Sequence, residues 1–177
     1  MGLYTSSGIF SGTSNSGKNG GIIQTKYTAV TNVVTASGNG INLSDFATSI
    51  TPTSSNSSII IMVSFGAVSG NNNTQTFEVR RNGGSVNAMR GDASGSRVRR
   101  TFRGCKRSSA DNNHTWGLSM TVQDFPSTTS SVTYNIYTHP ESNGATYINR
   151  SHNDENGSNN YQVRTMSTLI LMEVGDT

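Results

Sequence analysis

The run Ile59-Ile60-Ile61-Met62-Val63-Ser64-Phe65-Gly66-Ala67-Val68 is the most apolar stretch of the chain. Its length suits either a buried strand or a buried helix. Two features favour the strand. Isoleucine and valine dominate it, and branched side chains fit a pleated surface better than a helical turn. Polar clusters bound it, Ser54 to Ser58 on one side and Asn71-Asn72-Asn73 on the other. The run is therefore predicted to lie at the centre of a β core.

Working outward, the same logic repeats. Residues 22–35 read as a long first strand, rich in Val, Thr, Ile and Tyr, and Gly38-Asn39-Gly40 marks a turn. Residues 46–51 alternate and stop at Pro52. On the other side, 75–81 sets Phe77 and Val79 against Glu78 and Arg80, the pattern of a half-buried strand. Asn82-Gly83-Gly84 is a hairpin signal. Residues 97–102 alternate again. Trp116, Leu118, Met120 and Val122 share one face by period two, as do Val132, Tyr134, Ile136 and Thr138. Residues 146–149 form a short strand, 151–160 a polar loop, and 166–174 a strongly apolar closing strand. That last strand is predicted to insert centrally, beside the first. No stretch holds helical periodicity over ten residues. Strands with turn signals between them, recurring about every ten residues, predict an all-β sandwich or barrel.

Composition agrees. About half of the 177 residues are Ser, Thr, Asn or Gly, and hydrophobic residues make up 32%. One domain fits that length, but its core is thin, so burial between subunits is expected to supplement it. Charged residues are only 13%, unlike a disordered chain. The net charge is +3, and nine of the thirteen Lys and Arg residues fall between Arg80 and Arg107. One cysteine, Cys105, excludes an intrachain disulfide. Its cationic neighbours favour a thiolate, yet no base is close in sequence, and a small strand side chain is the plainer reading. No apolar run approaches the roughly 20 residues of a membrane span. Residues 1–20 are a Gly/Ser/Asn-rich arm, not a signal peptide. Such an arm is flexible alone and can order against a partner. Tyr4, Ile9 and Phe10 are its candidate anchors.

Several further motifs run along the chain. Gly21-Ile22-Ile23-Gln24 and Ile50-Thr51-Pro52-Thr53-Ser54-Ser55 lie in the first half. Gly91-Asp92-Ala93-Ser94-Gly95-Ser96-Arg97, Gln123-Asp124-Phe125-Pro126-Ser127-Thr128-Thr129-Ser130 and Tyr134 follow. Tyr147-Ile148-Asn149-Arg150-Ser151 and Ser167-Thr168-Leu169-Ile170-Leu171-Met172-Glu173-Val174 complete the pattern. Together they resemble a module of marine bacteriophage virion proteins of the tail-fibre kind, across about 20–174. The resemblance implies a jelly-roll-like antiparallel β-sandwich at 21–177, homotrimeric, on the exterior of a phage particle. The short arm in place of a long shaft points to a compact piece: a capsid decoration (cement) protein, or a short spike or fibre tip. Its expected partners are itself and other virion proteins. An adhesin recognising a host-surface glycan is the alternative.

The residues suggest few sites. If 97–103 is a strand, Arg97, Arg99 and Arg103 share a face with Thr101. That face suits contact with a neighbouring subunit or the capsid, a plain solvated surface, or an anionic ligand. Aromatics for base stacking are sparse there, so no nucleic acid is expected. His114, His139 and His152 lack metal-ligand spacing. No G-x-S-x-G elbow or phosphate loop occurs. No enzymatic activity and no cofactor are expected. Trp116 is placed with the core, and Tyr137, Tyr147 and Tyr161 are the candidate exposed aromatics.

Overall fold

A computed structural model describes residues 21–70, 73–106, 113–160 and 162–175, without the side chains of Cys105 and Lys106. The arm residues Tyr4, Ile9 and Phe10, and Tyr161, lie outside the described residues.

The apolar run is β4, Ser58–Gly70, and it is the axis of the larger sheet. On one edge it pairs β8 (Trp116–Asp124) along most of its length. Its other edge is shared. The first half pairs β11 (Ser167–Val174) and the last residues pair β10 (Ala145–Ile148). Beyond those lie β1 (Ile22–Val30) against β11 and β2 (Val34–Ser37) against β10. The closing strand thus lies between the first strand and β4, as its apolar sequence predicts. The second sheet runs β3 (Ile41–Ile50), β9 (Val132–Thr138), β5 (Thr74–Arg81), with β7 (Phe102–Lys106) and the short β6 (Gly84–Ser85) sharing the outer edge of β5. Every pairing is antiparallel.

Each sheet therefore has four lanes: β1/β2, β10/β11, β4, β8 in one and β3, β9, β5, β6/β7 in the other. Neighbouring lanes are mostly distant in sequence, and the eight lanes have the strand order of a jelly roll. The all-β sandwich is as the sequence indicates. Helix is confined to two single turns among the described residues, Asn87–Met89 and Glu141–Asn143.

The core fills by alternation. Ile59, Ile61, Val63 and Phe65 of β4 and Leu169 and Leu171 of β11 point inward and are buried, against Tyr134 and Ile136 of β9 and Phe77 and Val79 of β5. Phe65 meets three rings of the opposite sheet. Its centroid lies 5.0 Å from Phe46, 4.9 Å from Phe77 and 5.8 Å from Phe102. These edge and offset contacts add about 0.5–1.5 kcal/mol each beyond simple burial. Trp116 is half-buried and stacks on His114 at 4.8 Å.

Two boundaries differ from expectation. The long strand at 22–35 breaks at 31–33, because Asn149 takes its carbonyls. Asn149 is fully buried, at a φ of 66°. Its Nδ2 donates to Val30 O at 2.8 Å and to Asn32 O at 2.9 Å. Its Oδ1 accepts from Ser167 Oγ at 2.6 Å, and its backbone N–H reaches Ala67 O at 2.9 Å. Those bonds satisfy the gap where β10 hands over to β11, a place where buried polar groups must find partners. The second difference is at 97–102, which is not a strand. Residues 97–100 are irregular and β7 begins at Phe102. Arg97 Nη1 donates to Ser94 Oγ at 2.9 Å, and Arg99 reaches Gly91 O and Asn87 Oδ1, so loop bonds replace a ladder there.

Candidate functional site

The outer faces of the two sheets carry opposite chemistry. On the β1–β11–β4–β8 sheet the inward set leaves three cross-strand rows outside. Tyr27, Ile170, Met62 and Thr121 form the middle row. Thr25, Met172, Ile60 and Gln123 form one neighbour, and Ala29, Thr168, Ser64 and Ser119 the other. None of these residues is charged. Tyr27 is 57% exposed and Met62 37%, while Ile60, Ile170 and Met172 keep part of their surface in solvent. Tyr27, Ile170, Met62, Ile60 and Met172 adjoin across the strands, so the centre of this face is apolar.

The other sheet buries a carboxylate under guanidiniums. Glu78 of β5 alternates with the core residues Phe77 and Val79, so it faces outward, yet it is 1% exposed. Segment 82–101 covers it. Asn82 and Gly83 turn the chain at φ of 51° and 76°, the positive values an Asn-Gly hairpin uses. Met89 then buries in the core, and Thr101 returns the chain to β5, donating its N–H to Phe77 O at 3.0 Å.

Around Glu78 the geometry is dense. Arg80 donates Nη2 and Nε to Glu78 Oε2 at 2.9 and 3.0 Å. Arg90 Nη1 reaches Glu78 Oε1 at 3.4 Å and Nη2 donates to Asn87 Oδ1 at 2.7 Å. His139 Nε2 lies 3.3 Å from Glu78 Oε2, and its Nδ1 donates to Asn39 Oδ1 at 2.7 Å. Arg80 also lies over the Tyr137 ring, 4.1 Å from its centroid. Arg100 donates Nη1 to Arg99 O at 2.9 Å.

The electrostatics follow from this crowding. Burial opposes ionisation of Glu78 most strongly, but hydrogen bonds from Ser85 and Arg80 and the charges of Arg80 and Arg90 outweigh it, so its carboxyl lies below the usual range. His139 is pushed down by burial first and then by the charge of Arg100, with Glu78 opposing. Burial also lowers Arg100, offset by Glu78 and reinforced by Arg80 and Arg90.

The sequence-derived basic face does not form as a row. Arg97 and Arg99 spend their guanidiniums on the 87–94 loop, and Arg103 is exposed on β7 opposite Thr76. What the spacing missed is the cluster of Glu78, Arg80, Arg90, Arg100, Tyr137 and His139. The signal for part of it was present: Glu78 and Arg80 are two apart in a strand, hence on one face. Tyr147 is half-buried beneath Arg150, 4.1 Å from its ring centroid. Among the described residues no group of three His, Cys, Asp or Glu side chains could hold a metal ion, and no helix is long and apolar enough to cross a membrane. No protein-family model matches the chain, and a search of curated proteins finds no significant relative.

Proposed function

We propose that this protein is a non-enzymatic structural component of a bacteriophage particle, a homotrimeric jelly roll displayed on its exterior as capsid decoration or as a short fibre or spike. The observation that carries the assembly part is the uncharged outer face of the β1–β11–β4–β8 sheet. Its rows of Tyr27, Ile170 and Met62 and of Met172 and Ile60 are apolar and flanked by Ser and Thr. Charge is depleted and Met and aromatics are enriched at interface centres. A second copy of the same chain is the partner that matches it, since an uncharged face leaves no unpaired charge buried when it meets its own kind. Three copies turning this face toward a common axis would also supplement the thin core of each sandwich. The phage assignment rests on the sequence resemblance, with which the jelly-roll strand order agrees.

Two measurements test the two parts. Sedimentation equilibrium should return about three times 18.8 kDa, and Met62→Glu or Ile170→Glu should give a folded monomer. A wild-type monomer at micromolar concentration overturns the assembly reading. Immunogold labelling of purified particles should place the protein on the head lattice or the tail. Absence of label from intact particles overturns the virion reading.

A further inference from the structure

We propose that the outer face of β5 and β9 is a binding site for an oxyanion, a carboxylate or phosphate group, held by Arg80, Arg90 and Arg100 beside Tyr137. The proposal rests on a different surface from the trimer face and does not depend on it. Two guanidiniums, of Arg80 and Arg90, meet one carboxylate, Glu78, and the charge of a third, Arg100, is felt there. Arg80 takes one of its oxygens with two N–H groups, and Arg90 takes the other at 3.4 Å. Arg100 has no bond to it and spends Nη1 on a backbone carbonyl, Arg99 O. The Nε atoms of Arg90 and Arg100 are buried with no acceptor. Buried donors left without a partner are costly, and an ordered water or an ion is the usual way they are satisfied.

The local charge leads the same way. Three cations against one anion leave an excess of two positive charges, in a place where His139 stays neutral rather than add a further one. Burial first, and then the charges of Arg80 and Arg90, also lower the proton affinity of Arg100. An arriving oxyanion relieves both effects, and guanidinium forks match its geometry in pairs. The guanidinium of Arg80 is already fixed on the Tyr137 ring, on Glu78 and beside His139, so the N–H groups of its Nη1 are preorganised. Arg80 and Arg90 keep about a fifth of their side-chain surface in solvent, which leaves them reachable.

A free phosphate and an acidic sugar would both present this group. The test is titration of the intact protein with inorganic phosphate and, separately, with trigalacturonate, followed by the His139 ring resonances and by calorimetry. Saturable binding that moves the His139 signals and weakens with added salt is expected for at least one of them. Phosphate alone assigns a free anion, and trigalacturonate alone assigns an acidic carbohydrate. Arg100→Gln should weaken the binding at least tenfold, while Arg164→Gln, at an exposed ion pair with Asp154, leaves it unchanged. Should Arg100→Gln not fold, Arg100→Lys keeps the charge without the fork and should still weaken it several-fold. The proposal is overturned if neither probe shifts His139, or if a folded Arg100 variant binds as the wild type does.

Discussion

Tyr134 Oη donates a 2.7 Å hydrogen bond to Asp124 Oδ2, joining β9 of one sheet to β8 of the other. Arg81 Nη1 meets the same carboxylate oxygen at 2.9 Å. Both Tyr134 and Asp124 are essentially buried. The two sheets are thus held by a charged staple as well as by rings.

Tyr134→Phe should remove the inter-sheet bond but leave Asp124 paired with Arg81, costing about 1–2 kcal/mol. Asp124→Ala strands both partners and should cost roughly 3–5 kcal/mol. Urea unfolding measures both. Burial first, and the neighbouring Asp124, also hold the Tyr134 phenol protonated far above its ordinary range. Tyr134→Phe should therefore leave the alkaline absorbance titration of the folded protein unchanged.

Asn149 holds the junction of β10 and β11 through hydrogen bonds of both its side chain and its backbone. Asn149→Ala leaves the carbonyls of Val30 and Asn32 without their donor and forces alanine to a φ of 66°. A loss of about 3 kcal/mol is expected from buried groups left unpaired. Asn149→Gly should recover about 1 kcal/mol of it, the share due to backbone strain. Equal stability of the two variants would show that strain plays no part.

Gly66 of β4 faces the backbone of the returning chain. A Cβ there would run into Met166 O and the Thr165 side chain. Gly66→Ala should cost about 1–3 kcal/mol by overpacking. Gly117→Ala, whose Cβ would meet Phe65 O at an ordinary 3.7 Å, is the control and should be near neutral.

Acid should destabilise the fold in two steps. His139 is depressed in the native state, so below its ordinary value of 6.5 the unfolded chain takes up the proton first. Stability therefore declines as pH falls from there toward the native value. Glu78 is likewise depressed, and its contribution, complete above 4.5, is lost as pH falls through its native value. Glu173 behaves in the same way: burial opposes its charge, but Gln24 and Thr53 hold it ionised. Denaturant midpoints across pH should show both steps, and His139→Gln should abolish only the upper one.

On the proposed function, removing residues 1–20 should leave the sandwich folded and trimeric but absent from assembled particles. Ordering such an arm costs on the order of 1 kcal/mol per residue. Tyr4, Ile9 and Phe10 in pockets of a partner, repeated three times, would offset that through avidity. Wild-type occupancy of the truncated protein, counted in purified particles, would rule the arm out as the anchor.

How legible each part was depends on how local its cause is. Period-two alternation is set by the pleat, so 132–138 and the Trp116 to Val122 face could be read directly. The central place of β11 followed from Leu169 and Leu171 alternating with further apolar residues. At 97–102 the alternating arginines imitated a strand, but Gly91 O and Asn87 offered them loop partners instead. The break at 31–33 was invisible because its cause, Asn149, lies more than a hundred residues away. The site around Glu78 has the same character. Its first pair is a strand neighbour, while Arg90, Arg100 and His139 arrive only through tertiary folding.

The shared edge of β4 has a consequence for biosynthesis. Neither β4 nor β1 can complete its hydrogen bonds until Ser167–Val174 slides between them. Well over a hundred residues must therefore leave the ribosome, with their strand edges uncovered, before the larger sheet can close. Pairings this distant in sequence form slowly, and open edges invite the wrong neighbour. The nascent chain waits for its final strand, and that interval is when a crowded cell would have most opportunity to divert it into aggregates.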